Sequence, residues 1–142
     1  MGRRRRAREF ALEVLYRIEI AEDELEFVLS DHFTSKSADE ETKTFAESLV
    51  KQTINHLDDI DKLISDTAKN WDLVRIAIID KNILRFAIAE LLYFPDIPMK
   101  VTIDEAIEVA KKYSTPDSGR FVNGILDKIA KSHPKATAKT GN

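Results

Sequence analysis

The chain contains no cysteine. A disulfide framework, a thiol nucleophile, an iron–sulfur cluster and a cysteine-ligated zinc site are therefore excluded. Glycine and proline occur only four times each, which disfavours a fold rich in tight turns. No apolar run approaches the roughly 18 residues of a membrane span. The start, Met1-Gly2-Arg3-Arg4-Arg5-Arg6, is charged like the beginning of a signal peptide. Arg8, Glu9, Glu13 and Arg17 interrupt the stretch after it, so no apolar h-region exists. A soluble cytoplasmic protein that makes no use of a membrane is the expectation.

Chemistry-bearing patterns are equally scarce. The three histidines, His32, His56 and His133, are scattered without metal-ligand spacing. There is no Walker or GxGxxG loop, and no Ser/His/Asp arrangement can be read. Acidic runs such as Glu22-Asp23-Glu24 and Asp39-Glu40-Glu41 read as solvated helix faces and favourable first-turn charges. The expectation is a non-enzyme with no catalytic residue, no metal and no cofactor.

What is present is helical. Hydrophobic residues make up 43% and charged residues 33% of 142 residues, a composition suited to one globular domain with a sizeable core. The pattern predicts an all-α bundle of about seven helices, and no period-2 strand pattern competes with it. The first helix is expected from Arg4 to Ile20, on Ala7, Phe10, Ala11, Val14, Leu15 and Ile18. A second covers Glu22 to Phe33, followed by a polar loop from Thr34 to Ser37. A third runs from Ala38 to Asn55, and a fourth uses Ile60, Leu63, Ile64 and Trp71.

From Asp72 to Phe94 the chain is apolar on most sides, which marks a central buried helix. Asp80 would fall in its apolar stripe if it ran uninterrupted, so a break is predicted near Ile79-Asp80. Thr102 to Glu105 matches a capping box, and Thr115-Pro116 matches an N-cap with proline at the first helical position. The last helix carries Val122, Ile125, Leu126 and Ile129. The chain is expected to be a single domain over residues 1–142, with residues 132–142 as a flexible tail.

Charge is distributed unevenly. The formal net charge of −3 argues, taken as a sum, against a nucleic-acid partner. Residues 1–8 nevertheless carry +5, residues 9–70 carry −10 and residues 71–142 carry +2. Arg3, Arg4, Arg5, Arg6 and Arg8 enter the first helix as a rigid cationic cluster. Arginine offers a planar fork suited to phosphate and to stacking on bases; a solvated tail is the alternative. Helix phase turns Leu12 and Tyr16 away from the apolar stripe, either as a contact surface or beneath a neighbouring helix. In the last helix Phe121 sits at the edge of the core stripe near Arg120 and Lys128, placed either to stack a base or to rim the core. Gly119 and Gly124 each cost about 1 kcal/mol relative to alanine in a helix interior, and a close approach by a helix or a ligand would compensate.

The segment Arg4-Arg5-Arg6-Ala7-Arg8-Glu9, leading to Leu15-Tyr16, resembles the opening of the bacterial NusB transcription antitermination factors. Three further segments agree in order and spacing. These are Asp80-Lys81-Asn82-Ile83-Leu84-Arg85 with Glu90-Leu91, Val101-Thr102-Ile103-Asp104-Glu105-Ala106-Ile107, and Gly119-Arg120-Phe121-Val122-Asn123-Gly124-Ile125-Leu126-Asp127. Residues 22–61 agree only in helical character, and Arg3 is an addition to the usual run.

The resemblance implies two small helical subdomains packed together. It implies binding of boxA-type RNA from ribosomal RNA leaders in concert with NusE, a small-subunit ribosomal protein, and entry into the elongating RNA polymerase complex. Arg4, Arg5, Arg6 and Arg8, with Asp117, Arg120 and Phe121, are implied to contact RNA. Tyr16 and Asp80 are implied on the protein-partner surface. A homodimer through Leu12 and Tyr16, hiding the RNA surface, is a further expectation. Two other readings compete: a helical protein-interaction module, and the NusB-like domain of an rRNA cytosine methyltransferase.

Overall fold

The computed structural model describes residues 2–35, 38–69 and 73–139, and among them it contains helices and no strand. In chain order these are α1 (Gly2–Ala21), α2 (Leu25–Ser35), α3 (Glu40–Asn55), α4 (Leu57–Thr67), α5 (Ile78–Tyr93), α6 (Met99–Tyr113), α7 (Ser118–Ser132) and α8 (Pro134–Thr137). Trp71 of the expected fourth helix, the expected start at Asp72 and the Lys36-Ser37 half of the polar loop lie outside the described residues, as do residues 140–142 of the expected tail.

α1 buries the expected stripe of Ala7, Phe10, Ala11, Val14 and Leu15. It stops where Glu22 takes a left-handed conformation, φ 56°, with its N–H donating to Ile18 O at 2.9 Å. α3 begins behind Asp39, whose carboxylate accepts from Thr42 N–H at 2.8 Å, satisfying one of the orphan donors of the first turn. α5 is the hub, packing on α1, α3, α4, α6, α7 and α8. Its residues from Asn82 to Leu92 are all buried, as expected of a helix apolar nearly all round. α1–α3 form one set and α4–α8 the other, joined along α1, α3 and α5.

The predicted break ahead of Asp80 is present. A 3-10 turn at Leu73–Arg75 precedes Ala77, which is extended at ψ 138°, and α5 starts at Ile78 with Asp80 in its first turn. The two predicted caps downstream do not form. α6 starts at Met99 on the carbonyl of Pro98, which accepts from Val101 and Thr102 N–H. Thr102 is thus inside the helix, and its hydroxyl and the Glu105 carboxylate are engaged elsewhere. α7 likewise starts at Ser118, because Thr115-Pro116-Asp117 closes a turn with Ser118 N–H donating to Thr115 O at 3.0 Å.

The tail also departs from expectation. Beyond Ser132 the chain forms α8, buries Ala136, and reaches Lys139. The Lys139 ammonium donates to Glu90 O at 3.1 Å and to Ile97 O at 2.8 Å, closing the exit of α5 and the loop to α6. Burial pulls its pKa below the usual lysine value, and the Glu90 charge only partly opposes this. Replacing it, Lys139→Met, strands the buried Ile97 carbonyl, whereas Glu90 O keeps the Phe94 N–H at 3.2 Å, and should cost about 1–3 kcal/mol. A urea midpoint unchanged from the parent would show that this segment does not hold the fold.

Candidate nucleic-acid and partner interface

The arginine run occupies the first two turns of α1, so its members point in different directions at about 100° per residue. Arg3 reaches the head of α3, with Nε 2.9 Å from Asp39 and Nη1 2.7 Å from Glu41. The Arg4 guanidinium lies over the Phe45 ring, 4.0 Å from its centroid, and that of Arg6 over Phe10 at 4.9 Å. Arg5 turns toward α6 and grips Glu105 with Nε and Nη2, each 2.8 Å from a carboxylate oxygen. The hydrogen bond from Arg5 holds the Glu105 carboxyl below its ordinary pKa against the opposing effect of burial. The pair is therefore ionised at neutral pH.

Arg8 is a correction to the expected RNA-contacting set. Its side chain is 3% exposed, and its fork closes on Glu90, which is 0% exposed, at 2.8 and 2.6 Å. Thr102 donates to the same carboxylate at 2.7 Å. A guanidinium spent on a buried carboxylate has no face left for a phosphate. Arg8 fixes α1 against α5 and α6, and so positions the arginines before it.

The start of α7 forms the second part of the site. Asp117 and Arg120 are exposed and 3.8 Å apart. Phe121 is half-buried, packed on the core with one side in a groove of about 430 Å³ shared with Arg75, Ala77, Asp80 and Ser118. Asp80 is buried, with Oδ2 3.0 Å from Ser118 Oγ. It ties the starts of α5 and α7 together and offers little free surface. Of the two glycines, an added Cβ at Gly119 would touch Ile107 at 3.4 Å, whereas at Gly124 it would meet open space. Close packing thus bears on Gly119 alone.

Tyr16 remains outward, 37% exposed. Of the two readings open for Leu12, the structure takes the covered one: it is 1% exposed, forming the floor of a groove with Tyr16, Arg17, His32, Ile79 and Tyr113. The groove is held by Tyr113, whose hydroxyl donates to Glu13 at 3.0 Å; burial, reinforced by Glu13, pushes that phenol well above its usual pKa. With Leu12 covered, the expected dimer surface keeps only Tyr16. Ile79 in this groove and Asp80 in the groove of Phe121 are chain neighbours, so the two surfaces meet at the start of α5.

Two exposed cations escaped the sequence reading. Lys111 and Lys112 end α6; Lys112 Nζ is 3.0 Å from Glu9 on α1, and Lys111 lies beside Gly119. They bridge the arginine end of α1 to the start of α7. Their signal was two adjacent lysines just before the Ser114-Thr115-Pro116 turn. Among the described residues no group of His, Asp or Glu is arranged to hold a metal ion, and no helix is long and apolar enough to cross a membrane.

Comparison with known proteins gives consistent results. The profile of the NusB family matches residues 5–131. The chain is 45% identical to the transcription antitermination protein NusB of Thermodesulfovibrio yellowstonii, over 96% of this chain and 99% of that protein. A T. maritima NusB structure superposes with a TM-score of 0.85 at 44% identity, covering 92% of each chain. A crystal structure of antitermination factors NusB and NusE in complex with dsRNA superposes with a TM-score of 0.85 at 27% identity, covering 94% of this chain and 99% of that one.

Proposed function

The chain belongs to the NusB family of transcription antitermination proteins, and on that footing we propose that it is a non-enzymatic factor that binds boxA-type RNA of ribosomal RNA leaders. In this reading it acts together with NusE and joins the elongating RNA polymerase in the cytoplasm. The observation that carries the reading is the end-to-end likeness to a NusB that was crystallised with NusE and RNA.

The chemistry follows from the site. Arg4, Arg5 and Arg6 face the phosphates at one end, and Arg120, supported by Lys111 and Lys112, faces them at the other. Phosphate neutralisation supplies most of the affinity and makes it fall with salt. Phe121 stacks one base, and the exposed carboxylate of Asp117 accepts from an exocyclic amine. Tyr16 and its groove receive NusE, with Asp80 bracing the junction between the two surfaces. Arg8 acts through position alone.

The test is a salt titration of boxA RNA and of a scrambled RNA of equal length, with and without NusE. Preference for boxA, strengthened by NusE, is the expected result. Equal affinity for both RNAs with no gain from NusE overturns the reading. Arg6→Ala and Arg120→Ala should each weaken both RNAs in parallel and flatten the salt slope by about one unit.

A further inference from the structure

The arginine run already has anions around it. Glu105 takes the Arg5 fork bidentately at 2.8 and 2.8 Å, the arrangement in which two phosphate oxygens would be gripped. Asp39 and Glu41 face Arg3 at 2.9 and 2.7 Å. These pairs differ in kind from Arg8–Glu90. Arg5 and Glu105 are 32% and 21% exposed, and the Arg3 partners are more open still, whereas Arg8 and Glu90 are sealed. Water and a competing anion can reach the first group and not the second.

Building on the RNA-binding reading above, we propose that Glu105 and Glu41 are resident competitors for the RNA phosphates, occupying the anion seats of Arg5 and Arg3 and yielding them by exchange when RNA binds. In the free protein the carboxylates hold each guanidinium extended and oriented. On binding, each carboxylate is left ionised beside a phosphate, and that repulsion opposes the complex. The exchange therefore sets a threshold. A single small anion gains one contact and loses one. An RNA strand brings its next phosphate at high local concentration once the first is seated, so consecutive exchanges favour a polyanion. Glu105 and Glu41 act as residues that determine specificity, through the arginines they hold.

Competition and plain orientation differ in sign. If the carboxylates compete, their removal tightens RNA binding; if they only orient, removal weakens it. Asp39 also caps α3, so the test uses Glu105→Gln and Glu41→Gln, with fluorescein-labelled boxA and scrambled RNAs. Each variant should bind both RNAs about two- to fivefold more tightly, the scale of an exposed ion pair. The gain from Glu105→Gln should vanish in an Arg5→Gln background, and that from Glu41→Gln in an Arg3→Gln background. Asp66→Asn, which removes the same charge from the exposed pair with Lys62 on α4, should leave affinity nearly unchanged. Unchanged or weakened binding by folded Glu105→Gln and Glu41→Gln overturns the proposal, as does a gain that survives loss of the paired arginine. Should Glu105→Gln fail to fold, the Glu41 and Arg3 cycle decides alone. Lack of boxA preference in the parent protein counts against the functional reading only, because the exchange is judged by the ratio of variant to parent on either RNA. Absence of binding to any RNA by all of these proteins overturns both.

Discussion

Glu90→Ala is expected to lose about 3–5 kcal/mol of folding stability, the cost of leaving one member of a buried ion pair without the other. The carboxylate has no solvent exposure and accepts three hydrogen bonds, two from Arg8 and one from Thr102. Alanine would leave the Arg8 guanidinium under Phe45, 5.5 Å from the ring centroid, with only the Glu105 carboxylate, 3.9 Å from Nη1 and already gripped by Arg5, as counter-charge. Since a domain of this size has about 5–15 kcal/mol in total, urea unfolding should show a midpoint far below the parent. The double variant Arg8→Met, Glu90→Met removes both charges and should recover most of the loss. A single variant that loses less than about 1 kcal/mol would mean that water reaches the pair, contrary to its burial.

Phe121→Ala should have the largest effect on RNA. Stacking of a base on an aromatic ring is worth about 1–3 kcal/mol by alanine substitution, or roughly five- to 150-fold in affinity. Because Phe121 is only half-buried, the fold should lose less than from a core phenylalanine, and Phe121→Tyr should keep both stability and binding. Anisotropy titrations of boxA RNA alongside urea unfolding separate the two contributions. An unchanged RNA affinity in a folded Phe121→Ala protein would reassign the ring to the rim of the core.

Helix positions and the central place of α5 were legible from apolar spacing, because burial on one face imposes a period that survives in the residues themselves. The break before α5 was legible too, since Asp80 fitted no continuous stripe. What spacing does not carry is the far side of a helix. Leu12 lies opposite the main stripe of α1, yet a second wall, including His32 of α2 and Tyr113 of α6, covers it. The caps at Thr102 and Thr115 failed for different reasons: the Thr102 hydroxyl and the Glu105 carboxylate went to distant partners, Glu90 and Arg5, whereas Thr115 closed a local turn with Ser118. The fate of Arg8 had one faint signal. Glu90 is a lone acid among Phe86, Ala87, Ile88, Ala89, Leu91 and Leu92 in the apolar second half of α5, and such a residue requires a buried cation. Which cation it takes depends on the packing of α1 against α5, and no spacing encodes that.

The span of these ion pairs has a consequence in time. Arg8 and Glu90 are 82 residues apart, and Arg5 and Glu105 are 100 apart. At roughly 5–20 residues per second of synthesis, Glu90 follows Arg8 by roughly 4–16 s. During that interval the newborn first helix carries Arg5 and Arg8 without their carboxylates, on a ribosome built largely of RNA. Completion of α5 and then α6 supplies first the carboxylate that seals Arg8 and then the one that pairs with Arg5, so the order of synthesis is also the order in which these two arginines acquire their partners.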